Sequence, residues 1–540
     1  MNTKRTFLIF MTLMTLIMGS CTKEFVNVQN KNQIPYDQYW NKPEHAWPTL
    51  VAVYAMLKYS GISGVNYFIT FHGMDPVITN EGQGYVTYQN MTFLASDGNV
   101  EGIYRHLYSG LNRANIAIEK IPLCGITDTN LLNTYLGEAY FLRAFFSYRL
   151  TTLFNAPPLL NRVLDPDEYK KLGNTPQEQW FDFIKEDCKK AIARLPEKWD
   201  DGNLGRATKG AAWALLGKTY MEDEVWDSAE WAFNKLIVDK VGNYDLIKPQ
   251  GTDSIDYVYA YLCNYTLADL KYGSKTYRAE NNQESIFEVQ NTENDPKMWN
   301  MFLNGYGCDG SLYTTYFSIV GYWNIGVAQS FVNEYEKVVP SPTMPLHRDP
   351  RLYATVYLSG DTIKCFGSND KYCNKTIDET TKLSKPAWNP PGYSLKKYLF
   401  PMYPYATADG KDDPTNIRLI TYSEVLLNQA EVKYQLNKDG EALDLINEIR
   451  NRVGLPDTTT TDVKSLLLHE YKIEKAAEGK WMVEVMRWAR TKDQRTGEAT
   501  FVNPVSIKTG FVPGKHEYLP IPQYEIDYMT QGNLQQNPGW

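Results

Sequence analysis

The chain has 540 residues, of which 43% are hydrophobic and 22% charged, and its formal net charge is −8. This apolar content excludes a disordered chain, and 36 glycines and 28 prolines without a period exclude a collagen-like one. Because lysine and arginine form no stripe along this acidic chain, nucleic acid is not expected as a partner.

The start of the chain has the pattern of a targeting segment. Lys4 and Arg5 precede an apolar run over residues 7–18, and small residues then lead to Cys21. This order predicts a secretory signal peptide, because the run is shorter than the about 20 apolar residues of a transmembrane helix. Cys21 after Gly-Ser resembles the cysteine of a bacterial lipobox, although Met18 stands where that motif usually has leucine. The resemblance implies that Cys21 carries acyl chains such as palmitate and anchors the mature protein to a membrane.

Residues 206–240 contain the strongest internal pattern of the chain, a pair of helices. Their spacing matches the tetratricopeptide pattern W-x2-L-G-x2-Y…A-x3-F. The matching residues are Trp213, Leu216, Gly217, Tyr220, Ala229 and Phe233. Gly217 and Ala229 are small, which indicates that two antiparallel helices touch at these positions.

Two further segments repeat parts of this pattern. Leu136, Gly137 and Tyr140 repeat L-G-x2-Y. Ala430 and Ala442 repeat the separation between Gly217 and Ala229, and the sequence Asn-Lys-Asp-Gly between them supplies a turn. These pairs predict a mainly α fold, a tetratricopeptide-like scaffold of helical pairs. Further amphipathic helices are predicted at residues 44–58, 99–121, 176–194 and 463–479.

The helical period fades between residues 241 and 415, where short strand-like pieces occur at residues 285–290 and 352–358. A large loop-rich insertion in a helical scaffold favours a functional role, because long ordered loops often carry binding sites. The predicted organisation has four parts. They are a signal peptide (1–20), an N-terminal helical region (21–240), a loop-rich ligand-binding region (241–415) and a C-terminal helical region (416–540).

The sequence predicts no cofactor, no metal site and no enzyme. The six histidines show no ligand-like spacing, and C-x-x-C is absent. Glu470, Glu474 and Glu478 recur every four residues, and carboxylates on one helix face could perform acid–base catalysis on a glycan. The favoured alternative is a packing network in which these glutamates contact Arg487 and Arg490.

Several motifs, in the same order along the chain, resemble the SusD/RagB family of outer-membrane lipoproteins. The resemblance spans nearly the whole chain. It is carried by residues 136–160, 205–221, 281–290, 347–352, 418–432, 445–456, 470–488 and the closing segment 518–540.

The resemblance implies a SusD-like fold and a function without catalysis. Such proteins lie on the outer face of the outer membrane, bind oligosaccharides and act as a lid on a SusC-like TonB-dependent transporter. The helical pairs would face the transporter, and the loop-rich part would carry the ligand site. Two alternatives remain: an oligopeptide-binding protein, as in some relatives, and a surface glycosidase that uses the helical glutamates.

Two segments have the composition of a sugar site: the N-terminal ring segment (residues 66–90) and the central ring segment (residues 299–323). Aromatic rings can cover the flat C–H faces of sugars, while Asp, Asn and Arg bind hydroxyl pairs. The family resemblance also points to these two regions. At least two rings are expected to be exposed and to face one another. The predicted ligand-binding residues are Asp75, Tyr85, Tyr306, Tyr313 and Trp323.

Overall fold

The structure is a computed structural model. It describes residues 39–80, 85–291, 325–340, 345–364, 374–377, 392–400, 414–529 and 533–540, together with Tyr313 and Phe317. The signal peptide and Cys21 lie outside the described residues. No helix in the described ranges is both long and apolar enough to span a membrane.

Helices dominate the described residues. In the first half of the chain they are α1 (Ala46–Tyr54), α2 (Val65–Met74), α3 (Val86–Gln89), α4 (Gly98–Lys120), α5 (Thr129–Phe154), α6 (Pro166–Tyr169), α7 (Gln177–Ile192), α8 (Lys209–Glu222) and α9 (Trp226–Ile237). The later helices are α10 (Ser254–Leu262), α11 (Gln329–Glu334), α12 (Pro350–Thr355), α13 (Tyr422–Gln435), α14 (Asp439–Arg452), α15 (Val463–Glu474), α16 (Trp481–Trp488), α17 (Pro504–Ile507) and α18 (Gln523–Tyr528).

The described strands form three antiparallel two-stranded sheets. The strands are β1 (Ile78–Asn80), β2 (Leu270–Tyr272), β3 (Lys275–Tyr277), β4 (Ser285–Val289), β5 (Ile325–Val327) and β6 (Ile417–Thr421). β1 pairs with β5, β2 with β3, and β4 with β6. The β4–β6 pair joins the insertion to the C-terminal helices, because β6 leads directly into α13.

The ends of the long helices are set by polar side chains. Asp97 accepts hydrogen bonds from the first free backbone N–H groups of α4, and Asp128 does the same for α5. Thr208 accepts from the backbone N–H of Ala211 at the start of α8. Each such cap satisfies a donor that the helix leaves unpaired and contributes about 1 kcal/mol.

The predicted helical pairs are confirmed. α8 and α9 pack against each other at Gly217, where a Cβ atom would lie 2.5 Å from the ring of Phe233. Ala430 of α13 and Ala442 of α14 are both fully buried. At Gly137 of α5, a Cβ atom would lie 2.8 Å from the Cβ of Arg194, which follows α7. The fold is thus mainly α with a few short strands, as predicted.

Two local expectations are wrong. The predicted strand at residues 352–358 is mostly helix α12, because Asp349 accepts from the backbone N–H of Arg351 and Pro350 occupies the first helical turn. The helix predicted to reach residue 479 ends at Glu474, and the chain then turns through positive φ angles of 58° at Ala477 and 67° at Gly479.

Candidate functional site

Strand pairing brings the N-terminal ring segment beside the strand that follows the central ring segment. β1 lies in the first of these, and it pairs with β5 through Ile78 opposite Val327 and Thr79 opposite Gly326. A third segment joins at Tyr393, which exchanges two backbone hydrogen bonds of 2.9 Å with Val327. Gly392 permits this approach, because a Cβ atom there would lie 2.6 Å from the carbonyl oxygen of Val327.

A buried cluster of rings lies among these segments and contains Tyr313. The ring of Tyr313 stacks on Tyr398 with 3.8 Å between centroids, and its neighbours include Phe68 and His72 of α2 at 5.4 and 5.6 Å. Tyr313 is only 4% exposed. Tyr313 is therefore not one of the exposed rings, because packing covers the ring faces that a sugar would need.

Tyr85 is also buried, with 3% of its surface exposed. It precedes the short helix α3, which packs against α2 at Gly73. A Cβ atom at Gly73 would lie 2.8 Å from Tyr88 and 3.6 Å from the Tyr85 ring. Residues 65–74 form helix α2, which packs against Tyr85.

Asp75 ends α2 and is 1% exposed, so it too lacks the expected access to solvent. Its Oδ1 accepts from the backbone N–H of Val77 at 2.9 Å, whereas its Oδ2 accepts no hydrogen bond from any residue in the described ranges. Burial raises the pKa of Asp75 to about 6, although the Val77 N–H and the charge of Lys508 oppose this shift. The carboxyl group fixes the turn into β1.

Tyr306 and Trp323 lie outside the described residues. The ligand-binding role of all five predicted residues stays a prediction. The sequence did not point to Tyr393, whose half-exposed side chain donates a 2.7 Å hydrogen bond to Oε1 of Gln329. The preceding Pro-Pro-Gly, a strong turn signal, could have drawn attention to this ring.

The three glutamates proposed as alternative catalysts belong to a buried ionic network. Glu470 accepts from Arg351 and Arg450 at 2.8 and 2.7 Å. Glu474 accepts from Arg452 at 2.6 Å, and Glu478 accepts from a lysine, Lys397, at 2.7 Å.

The expected partners of these glutamates are wrong. Arg487 instead pairs with Glu431 and Glu484, and Arg490 pairs with Glu222. The chain places Arg487 on α16, on the far side of the turn that follows Glu474. A packing network does exist, but different cations supply it.

Glu474 and Glu478 hold no proton that they could donate near neutral pH. Burial would raise the pKa of Glu474, but the charges of Arg452 and Lys475 outweigh it and lower that pKa to about 2. The pKa of Glu478 is also lowered to about 2, because Lys397 and Lys475 outweigh burial there. A general acid for glycoside cleavage needs a raised pKa and access to the substrate. Glu474 and Glu478 have neither.

Among the residues that the structure describes, one group of side chains has the spacing of metal ligands: Glu336, His469 and Glu470. Arg450 already binds there, donating to Oε1 of Glu336 at 2.6 Å and to Oε1 of Glu470 at 2.7 Å. A guanidinium between two carboxylates supplies the positive charge that a cation would bring, so this group fits an ion-pair cluster better than a metal centre.

Two family models match the chain. Residues 264–540 match a model described as the SusD family. Residues 27–221 match a model described as starch-binding and associating with the outer membrane. Together the two matched stretches account for most of the chain.

Relatives and solved structures agree with these matches. The SusD-like protein P2 of Formosa agariphila is 26% identical over 477 residues, which cover 84% of this chain and 83% of that protein. A SusD-like protein of Bacteroides fragilis superposes with a TM-score of 0.70 at 22% identity, covering 93% of this chain and 98% of that one. A laminarin-binding SusD-like protein superposes with a TM-score of 0.68 at 22% identity, covering 93% of this chain and all of that one.

Proposed function

The chain belongs to the SusD family, and from this membership we propose that it is a non-catalytic, glycan-binding lipoprotein of the cell outer membrane. The observation that supports the proposal is the pairing of β1, which lies in the N-terminal ring segment, with β5, which follows the central ring segment in the chain. A site assembled from separate loops on a rigid helical scaffold suits the recognition of an extended oligosaccharide.

In the proposed site, Trp323 and Tyr306 provide the ring faces that cover the sugar. Asp75, Tyr85 and Tyr313 act from beneath by fixing the backbone from which those loops extend. A ring face that covers about 50 Å² of sugar contributes roughly 1.3 kcal/mol. Two such ring faces by themselves give only weak binding, to which hydrogen bonds then add. Weak binding suits a protein that must pass its ligand on.

The proposed partner is a SusC-like TonB-dependent transporter, on which this protein acts as a lid. Acyl chains on Cys21 would hold the protein at the surface of the outer membrane after removal of residues 1–20. The description of the N-terminal family model, with its association with the outer membrane, supports this location. Growth with labelled palmitate tests it: the wild-type chain should carry label in the membrane fraction, and Cys21→Ser should not.

The binding proposal is tested by affinity electrophoresis in gels that contain laminarin, soluble starch or xylan. At least one glycan should retard the wild-type protein. Trp323→Ala or Tyr306→Ala should weaken the apparent affinity about tenfold, as expected for the loss of one ring face worth roughly 1.3 kcal/mol. Trp231→Ala is the matched control, because this ring on α9 is 47% exposed and lies outside the proposed site. Binding to casein peptides together with no retardation by any glycan would replace the proposal with the oligopeptide-binding alternative.

A further inference from the structure

A second concave surface lies outside the segments assigned to the glycan site. It is a cleft of about 370 Å³, within the size range of small-molecule sites. Its walls come from the loop between α7 and α8, the loop after α9, and the chain from the end of β3 through β4. None of the described residues within 66–90 lines it, and neither does Tyr313 or Phe317.

The buried charges in the walls of this cleft are already neutralised within the protein. Arg206 donates to Oε2 of Glu138 at 3.0 Å and to Oδ1 of Asn203 at 2.7 Å. Glu288 is 2% exposed, and its carboxylate accepts from the backbone N–H of Asn281 at 2.8 Å. Because these buried groups have partners, none of them needs a counter-charge from a ligand, which is compatible with a neutral ligand that has many hydroxyl groups.

The cleft also presents groups that are ready to contact a ligand. Trp199 is half-buried, and two contacts hold its ring in place. The guanidinium carbon of Arg206 lies 3.9 Å from the ring centroid, and the indole N–H donates to the carbonyl oxygen of Ala207. Arg278 is exposed, and within the described residues its guanidinium makes no hydrogen bond or ion pair. Within one cleft, the indole supplies an apolar face and the guanidinium supplies paired donors. A sugar ring has partners for both, because its C–H face packs on an aromatic ring and its hydroxyl groups accept hydrogen bonds.

The backbone around the cleft is held in an uncommon conformation. Four lining residues have positive φ angles: Gly205 at 84°, Gly242 at 82°, Asn243 at 55° and Asn281 at 50°. At Gly205 a Cβ atom would lie 2.2 Å from the side chain of Gln290, so the position requires glycine. Such conformations persist only where the surroundings fix them, and they concentrate at ligand sites. The cleft is therefore preformed.

We infer that this cleft is a second oligosaccharide-binding subsite. The inference rests on the proposed function, from which it takes the class of ligand. It adds a second position at which the protein binds the same long glycan. A polymer that reaches both sites binds the second at a high effective concentration, so two weak sites together give useful avidity. A short oligosaccharide that reaches only one site gains nothing from the other.

The test compares Arg278→Ala with Lys271→Ala by affinity electrophoresis against laminarin, soluble starch and xylan. Lys271 is the matched control, because it is an exposed cation on the same β2–β3 hairpin and does not line the cleft. Arg278→Ala should weaken binding of the retarding polysaccharide about tenfold, the amount expected for loss of a charged hydrogen bond. Gln283→Trp, which adds bulk at the exposed edge of the cleft, should weaken it at least as much. Unchanged melting temperatures would show that both variants are folded.

The outcomes separate the two proposals. Weakened polymer binding in the cleft variants, with Lys271→Ala like wild type, supports the second subsite. If a glycan retards the wild type and both cleft variants retain full affinity while Trp323→Ala loses it, the second subsite is wrong and the proposed function stands. If no glycan retards the wild type, both are overturned.

Discussion

At the scale of single residues, Asp75 is a buried carboxyl group with only part of its hydrogen bonding satisfied. One carboxylate oxygen accepts from the Val77 N–H, and the other has no hydrogen-bond partner among the described residues. The neighbouring cation Lys508 is itself mostly buried, and burial lowers its pKa to about 8 while Asp75 opposes that shift. The native state therefore favours the protonated form of Asp75 at mildly acidic pH.

The raised pKa of Asp75 predicts that Asp75→Asn changes the free energy of unfolding in a pH-dependent way. The carboxyl has a pKa near 3.8 in the unfolded chain and about 6 in the native protein, so its favourable contribution is present below pH 3.8 and lost as the pH rises through 6. Asparagine does not titrate, and its oxygen can still accept from Val77. The free energy of unfolding of the variant should therefore rise relative to wild type by up to about 3 kcal/mol between pH 4 and pH 6.5.

Urea denaturation of both proteins across that pH range measures the difference. Other titrating groups, such as the buried His72, are common to both chains and their effects cancel to first order. Asp227→Asn, which changes an exposed carboxylate on α9, should run parallel to wild type. A constant difference between Asp75→Asn and wild type over the range would contradict the assigned pKa.

Asp75, Tyr85 and Tyr313 show why the segments of the candidate site were easier to predict than the exposure of individual side chains. The sequence placed Asp75, Tyr85 and Tyr313 in segments rich in rings and turn residues, and pairing of β1 with β5 brings the first of these segments beside the strand that follows the second. Whether a tyrosine packs or is exposed depends on the residues across from it. Tyr398 and Phe68 cover Tyr313, and no local pattern records those contacts.

At the scale of elements, the α8–α9 pair depends on the absence of a side chain at Gly217. Gly217 is fully enclosed, and the ring of Phe233 occupies the space beside its Cα. The two helices can approach closely because glycine has no side chain, which leaves room for the Phe233 ring. This is the packing that the tetratricopeptide spacing predicts.

Gly217→Ala should therefore destabilise the protein. Alanine is favoured over glycine in a helix by up to about 1 kcal/mol. Against this, its Cβ would lie 2.5 Å from the Phe233 ring, and overpacking of this kind costs about 1–3 kcal/mol. The expected net loss in free energy of unfolding is about 1 kcal/mol. Gly440→Ala is the matched control: nothing lies within 4 Å of its Cβ position on α14, so it should be neutral or stabilising. Equal effects in the two variants would contradict the packing argument.

Element type could be predicted where packing and local pattern agree, as they do for α8 and α9. It failed at residues 352–358, where β-branched and aromatic residues favour a strand but Asp349-Pro350 starts a helix. A cap of this kind acts on the first turn of a helix. Because α12 has only six residues, that turn is most of the helix, and the cap outweighs the strand-like composition. The strand at residues 285–290 was correct because β6 offers it a partner.

At the scale of the whole molecule, a buried ionic network ties the insertion to the C-terminal helices. Arg351 on α12 binds Glu470 and Glu474 on α15, and Arg452 on α14 binds Glu474 and Glu284 beside β4. Ion pairs this deeply buried contribute little net stability when all partners are present. Removal of one partner leaves an uncompensated charge in the interior and destabilises the protein. Because the network joins these regions, we expect them to unfold together.

Glu474→Gln tests this coupling against the catalytic alternative. The amide keeps the shape of the carboxylate but removes its charge from between Arg452 and Arg351, and each arginine retains another carboxylate partner, Glu284 or Asp349. The loss in free energy of unfolding should therefore lie near the lower end of the range for broken buried pairs, about 3 kcal/mol. Because the pKa of Glu474 is lowered to about 2, the loss should be complete at neutral pH and should shrink below pH 4.5.

Urea denaturation measures this loss, and Glu498→Gln, which changes an exposed glutamate in the loop after α16, should cause none. A glycosidase that uses Glu474 would behave in the opposite way. The wild-type protein would release reducing sugar from the glycan that retards it, and Glu474→Gln would abolish that release while leaving stability unchanged. Since the native carboxylate is ionised and enclosed by two guanidinium groups, we expect loss of stability and no sugar release from either protein.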